Sequence, residues 1–171
     1  MTPEQAHLLA STFLAAIQKE TPTTCRVINA VPKGKGSYRP DPVSRTALEL
    51  AWHIASADVW FLEGFLKGGF VMDDDTMPAD LSEAADIALW YEENFASAFD
   101  KVAKLPPDFW AKPLDFFGIY NHPAAMYLQF MLLHTVHHRG QLCAYLRPMG
   151  AKVPNIYGGS FDEPMEMPPQ P

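Results

Sequence analysis

Proline and glycine divide this chain so sharply that a helical bundle is the architecture most open to it. The 171 residues hold 16 prolines and 10 glycines. Most of them fall between or after four long segments whose apolar residues recur at spacings of three and four. The first segment begins with Thr2, Pro3 and Gln5, a cap, a first-turn proline and a capping-box partner, and is expected to end near Glu20. The second, VSRTALELAWHIASADVWFLEGFLKGG, carries Leu48, Ala51, Ala55, Val59, Leu62 and Leu66 at helical spacing and stops at Gly68 and Gly69. The third opens at Asp80, with Glu83 in capping-box register, and runs to about Lys104. The fourth starts near Asn121 with Pro123 in its first turn and stops at Pro148 and Gly150. Four helices with one apolar face each predict an all-α four-helix bundle, in one domain over residues 1–171.

The remaining stretches read as connections. TPTTCRVINAVPKGKGSYRPDP is expected to be a long irregular link, with CRVINAV as a short extended piece. Strand-like alternation is weak elsewhere. Residues 151–171 form a tail rich in proline and glycine whose last residues are expected to fray. A net charge of −7 builds no basic field, so a nucleic acid or an anionic membrane is excluded as a partner and small molecules or proteins remain. No apolar run approaches the length of a membrane span. Cys25 and Cys143 show no CxxC spacing, which argues against a disulfide framework. The N-terminal segment lacks the basic start and cleavage site of a signal peptide, and a reducing, cytoplasmic location is expected.

Within the fourth segment, LLHTVHHRGQL puts His134, His137 and His138 into an apolar helix. His134 and His138 differ by about 40° around the axis, so both rings leave the same face and can meet at one point. His137 lies about 60° from His134 on the other side and about 100° from His138, which makes it the weaker candidate. Tyr127, Gln141 and Tyr145 share the His134 direction and make the centre of that face polar. Two imidazoles are few for a metal, and catalytic zinc commonly takes three protein ligands. His53, in LELAWHIASADVW, is the natural third, since an unpartnered ring among Ala51, Ile54 and Ala55 would be costly. Glu49, four residues earlier, could bond its other ring nitrogen or bind the metal directly. His7 and His122 stand near segment ends and read as solvated or capping.

Other chemistries find less support. HExxH, paired ExxH, GxSxG and a complete phosphate loop are absent from the sequence. Cys143 points about 140° away from His138, which favours packing over ligation. Arg139 suits a salt bridge inside the bundle or a substrate anion. Gly140 marks either a close helix approach or tolerated strain. Trp52, Trp60, Trp90 and Phe130 suit the core or a dimer interface.

ELAWHIA, followed about eighty residues later by HTVHHRGQL, resembles the DinB family of metal-dependent helical-bundle proteins. RPDPVSRTALELAWHIA and YLRPMGAKVPNIYGGS resemble the family's entry into its second helix and exit from its fourth, so the likeness covers most of residues 35–160. The resemblance implies a four-helix bundle with long crossover connections, a homodimer, and a divalent metal held by His53, His134 and His138. It implies no ligand role for His137. It also suggests thiol transfer or isomerisation with a low-molecular-weight thiol. Metal-dependent hydrolysis, a non-catalytic binding or stress-response role, and a purely structural bundle whose histidines pair with carboxylates such as Glu49 stand as alternatives. Three imidazoles suit zinc, nickel, iron or copper alike. No catalytic residue is assigned from the sequence.

Overall fold

The computed structural model describes residues 1–72 and 74–165. Four long helices, α1 (Pro3–Asn29), α2 (Ala47–Lys67), α3 (Ala84–Val102) and α5 (Ala124–Leu146), make the bundle. A short helix α4 (Pro107–Ala111) and a hairpin of β1 (Pro113–Phe116) and β2 (Tyr120–Pro123) lie between α3 and α5. Helix α1 packs on α3 and α5, and α2 packs on the same two. The consecutive helices α1 and α2 therefore stand diagonally across the bundle, and so do α3 and α5. Two connections cross it, as an all-α bundle with long crossovers requires.

Helix α2 is heavily buried where it packs on α3 and α5. Leu50, Ile54, Leu62 and Phe65 on it are fully buried together with Ala47, Ala51 and Ala55, and burying each large side chain contributes about 1.5–3 kcal/mol. Its ends are fixed by local chemistry. Thr46 caps the N-terminus by accepting from Glu49 N, while Glu49 Oε2 accepts from Thr46 N at 2.7 Å. Gly68 closes the other end at φ +74°, a conformation that costs a side-chain-bearing residue 1–2 kcal/mol or so. Gly64 is needed for a different reason: a Cβ there would stand 2.5 Å from the ring of Phe70, which folds back over the end of α2.

Several boundaries differ from the sequence expectation. Helix α1 does not stop near Glu20 but runs through Pro22 to Asn29, so residues 25–29 of CRVINAV are helical and not extended. Pro22 leaves the carbonyl of Gln18 without its N–H partner. The turn is held nonetheless, because the hydroxyls of Thr21 and Thr24 donate to the carbonyls of Ile17 and Glu20 and because Thr24, Val27 and Ile28 are buried. Helix α3 begins after Glu83, not Asp80: Asp86 Oδ2 accepts from the backbone N–H of Ser82 and Glu83, shifting the capping box by one turn. Helix α5 begins at Ala124, because Asn121–Pro123 are taken by β2.

The hairpin was hidden from periodicity by its short strands. Tyr127 pins it: its hydroxyl donates to Leu114 O at 2.8 Å and accepts from His122 N at 3.1 Å. The tail up to Met165 is tied back to the bundle, with Glu163 accepting from Arg26 at 2.5 Å and Asp162 from Arg147 at 2.9 Å. Residues 166–171, where fraying was expected, lie outside the described residues. None of the described helices is long and apolar enough to cross a membrane.

Candidate metal centre

The three histidines singled out from the sequence come together. His53 leaves α2 toward α5, where His134 and His138 project one turn apart. His53 Nε2 and His134 Nε2 are 3.2 Å apart, and the ring centroids of His138 lie 4.7 Å from His53 and 4.5 Å from His134. One nitrogen from each ring lies within 4.8 Å of the other two. Two nitrogens on one tetrahedral zinc, each at about 2.05 Å, are roughly 3.3 Å apart. The closest pair already has that spacing.

What surrounds the rings sets their outer nitrogens. His53 Nδ1 donates to Asp75 Oδ2 at 3.2 Å, and Ser56 Oγ donates to the other oxygen of the same carboxylate at 2.5 Å. Burial acts to raise the Asp75 pKa, but the bonds from His53 and Ser56 outweigh it and leave the carboxyl below its ordinary value. His138 Nδ1 donates to Gln141 Oε1 at 3.0 Å, and Gln141 Nε2 in turn reaches Tyr145 OH at 3.4 Å. A proton fixed on Nδ1 leaves Nε2 with a lone pair turned inward. His134 has no such partner, and its Nδ1 is buried without a hydrogen bond among the described residues.

Burial, reinforced by the neighbouring imidazoles, pushes His134 down to about 4 and also lowers His138. Near neutral pH these rings are uncharged, the state in which imidazole ligates. Among the described residues the group is three imidazoles, with no carboxylate in the set. Three convergent imidazole nitrogens suit a divalent ion and leave at least one coordination position for another molecule.

The other candidates fall into place around this centre. Gln141 and Tyr145 support His138, as their shared helix face suggested. Glu49 does not reach His53: its carboxylate is occupied at the N-cap of α2, and Asp75 stands where Glu49 was expected to act. Tyr127 serves the hairpin and not the centre. His137 is exposed, with its ring 4.8 Å from that of His138. His7 and His122 are likewise exposed. Arg139 is buried and internal, binding the Glu20 carboxylate at 2.6 Å, Thr24 Oγ1 at 3.2 Å and Tyr157 OH at 2.7 Å. Burial raises the Cys143 thiol pKa, in keeping with a packing role. A Cβ on Gly140 would meet nothing within 4 Å, so that glycine marks no close approach.

Two residues escaped sequence reasoning. Asp75 lies in a polar turn with no periodicity to place it, and only folding brings it over α2. Asp58 had a signal: it lies on the Ala55–Leu62 side of α2, a lone carboxylate among apolar residues. It is fully buried and accepts from Tyr91 OH of α3 at 2.6 Å and from Thr135 Oγ1 of α5. Burial pushes its carboxyl up to about 6. It thereby links three helices beside His134 and fixes the register of α5 against α2.

An open cleft of about 520 Å³ adjoins His53 and His134, with walls that include Trp52, Trp60, Phe61, Phe116, Phe117 and Phe130. A second, more polar hollow of about 490 Å³ lies beside it, lined by Arg39, Ser44, Arg45 and Glu49. Arg45, Trp52 and Asp75 border both.

Comparison with known proteins accords with this geometry. Residues 4–170 match the model of the DinB family. A DinB-like protein from Bacillus cereus ATCC 10987 has a similar structure, with a TM-score of 0.71 and 27% identity over 85% of this chain and 95% of that one. A DinB-like protein from Bacillus subtilis shares the fold, with a TM-score of 0.66 and 22% identity over 86% of this chain and 96% of the other. A search of curated proteins finds no match. A bundle of this topology, matched to the family model over nearly its whole length, belongs to the DinB family.

Proposed function

We propose that the protein is a metal-dependent enzyme that transfers a low-molecular-weight thiol to an electrophile, or isomerises a substrate with its help, at a divalent ion held by His53, His134 and His138. The observation that carries the metal assignment is the convergence of three imidazoles, two of them oriented from behind by Asp75 and Gln141. A bound divalent cation supplies positive charge that lowers the pKa of a coordinated thiol or water. The two hollows favour a reaction with two partners. Arg39 and Arg45 border the polar one and suit the anionic groups of a small thiol, while the aromatic cleft suits an apolar electrophile.

In this reading Asp75 and Gln141 hold the proton on Nδ1 of their histidines and so keep the inner nitrogens available. The aromatic walls hold the apolar part of the electrophile beside the centre. The thiol loses its proton to solvent, its sulfur forms a bond to the electrophilic carbon, and the leaving group departs with the electron pair of the broken bond. Metal-assisted hydrolysis uses the same ion with water in place of the thiol.

The first experiment is elemental analysis of tag-free wild type, His53→Ala and His134→Ala purified identically. Near-stoichiometric metal in the wild type, lost in both variants, is expected. Metal-loaded protein is then incubated with cellular thiols and an electrophile, and products are read by mass spectrometry. A metal-dependent thioether or isomer supports the thiol reading, and its absence with every thiol overturns it in favour of the hydrolase or a non-catalytic binding role.

A further inference from the structure

The aromatic wall of the cleft is continuous and ends on the metal centre. Trp60 and Phe117 lie nearly parallel with centroids 6.1 Å apart, Phe117 meets Phe116 at 4.7 Å, and Phe116 meets Phe130 at 5.6 Å. Phe130 then meets Phe61 at 5.8 Å, and Phe61 meets the His134 ring at 6.2 Å. The polar handles of the two tryptophans are already satisfied within the protein: Trp52 Nε1 donates to Asp75 O at 3.0 Å and Trp60 Nε1 to Val71 O at 2.9 Å. Phe130 remains 44% exposed although a buried position would stabilise it.

One member of the wall is held at a cost. Phe117, at the hairpin tip, has φ +57°, the one non-glycine residue among those described with a left-handed backbone. A bulky side chain there costs about 1–3 kcal/mol, and such strain concentrates where a ligand is clamped. The hairpin that carries Phe116 and Phe117 is itself fastened to α5 by Tyr127.

We propose that this cleft takes the aromatic body of a small, largely uncharged molecule, with Phe117 and Phe130 as specificity-determining residues and the molecule's reacting atom at the His134 end. The position of the reacting atom rests on the metal-dependent reading above. The recognition of an aromatic body rests on the wall alone. Flat rings fit because the wall offers ring faces and edges at stacking distances, and of the polar side chains that also line the cleft Ser56, Asp75 and Glu63 already have partners within the protein.

Two titrations separate the claims. Metal-free protein is titrated with 2-naphthol by calorimetry and tryptophan fluorescence. Saturable one-to-one binding is expected, weakened by roughly tenfold or more in Phe117→Ala/Phe130→Ala through lost apolar contact and unchanged in Leu89→Ala, an exposed site on α3. Both cleft residues are partly exposed, so circular dichroism is expected to show the double variant folded. No saturable binding up to about 1 mM, or equal binding by the double variant, overturns the inference. Zinc-loaded protein is then titrated with benzohydroxamate and acetohydroxamate. A preference of about 30-fold for the aryl compound is expected from the extra apolar area buried, and should collapse in the double variant. Equal affinities overturn the aromatic assignment while leaving the metal centre intact. Failure of both hydroxamates with naphthol still bound overturns the metal centre and the reacting-atom position, and leaves the aromatic site standing.

Discussion

Replacing Asp75 probes the centre without touching a ligand candidate. Its carboxylate accepts from His53 Nδ1 at 3.2 Å and from Ser56 Oγ at 2.5 Å. Asp75→Ala removes the group that fixes the His53 ring and tautomer, and loss of such a partner typically weakens metal binding 10–100-fold, about 1.4–2.7 kcal/mol. Asp75→Asn should cost less, below about tenfold, since the amide oxygen can still accept from Nδ1 and the lost charge is partly screened by water. The side chain is 46% exposed, which sets that discount. Glu49→Ala is the contrast: it removes an N-cap bond of α2, costs about 0.5–1 kcal/mol of stability and leaves metal affinity unchanged. Competition against a chromophoric chelator measures all four proteins on one scale. The ranking wild type, Asn, Ala in falling affinity, with the Glu49 variant equal to wild type, is the expected result. A Glu49 variant weaker than the Asp75 variants would refute the assignment of Asp75 as the residue that orients His53.

Other perturbations test the frame. Asp58 has a folded pKa of about 6 against an ordinary 3.8. Its stabilising contribution is therefore complete below about pH 4 and is lost as pH rises through 6, amounting to about 3 kcal/mol. The difference between wild type and Asp58→Asn in urea unfolding should shift by that amount between pH 4 and pH 7.5, and a pH-independent difference would contradict the burial argument. Arg139→Met strips the Glu20 carboxylate of its buried partner and should lower stability by about 3–5 kcal/mol, with metal affinity unchanged. A loss below about 1 kcal/mol in chemical denaturation would mean that water satisfies Glu20 instead. Gly140→Ala meets empty space in a helical backbone and should raise stability by about 1 kcal/mol, read as a higher melting temperature.

The histidines and the helices were legible because both depend on period. A spacing of four places two rings together on any straight helix, and a buried imidazole is conspicuous in an apolar segment. Helix ends were less legible where two signals competed. Pro22 reads as a stop, yet the buried side chains beyond it and the Thr21 and Thr24 hydroxyls carry α1 through. At Glu83 two capping registers were available, and Asp86 decided between them. The hairpin and Asp75 were not legible at all. The hairpin is fixed by the Tyr127 hydroxyl at the start of the next helix and Asp75 by His53 and Trp52, far earlier in the sequence, and helical period encodes neither contact.

The fastening of the segment after α2 links two events that look separate. Trp60 holds it at Val71 O and Trp52 at Asp75 O, while the Asp75 side chain steadies His53. The indoles that wall the cleft thus carry the same stretch of chain that orients a histidine of the cluster. Any molecule that shifts this stretch on entering the cleft would alter the grip of the histidines on a bound ion, and such an ion would alter the molecule's affinity by the same factor. Cargo and cofactor would then report on each other at equilibrium, and measuring either affinity with the other present or absent would give the size of that exchange.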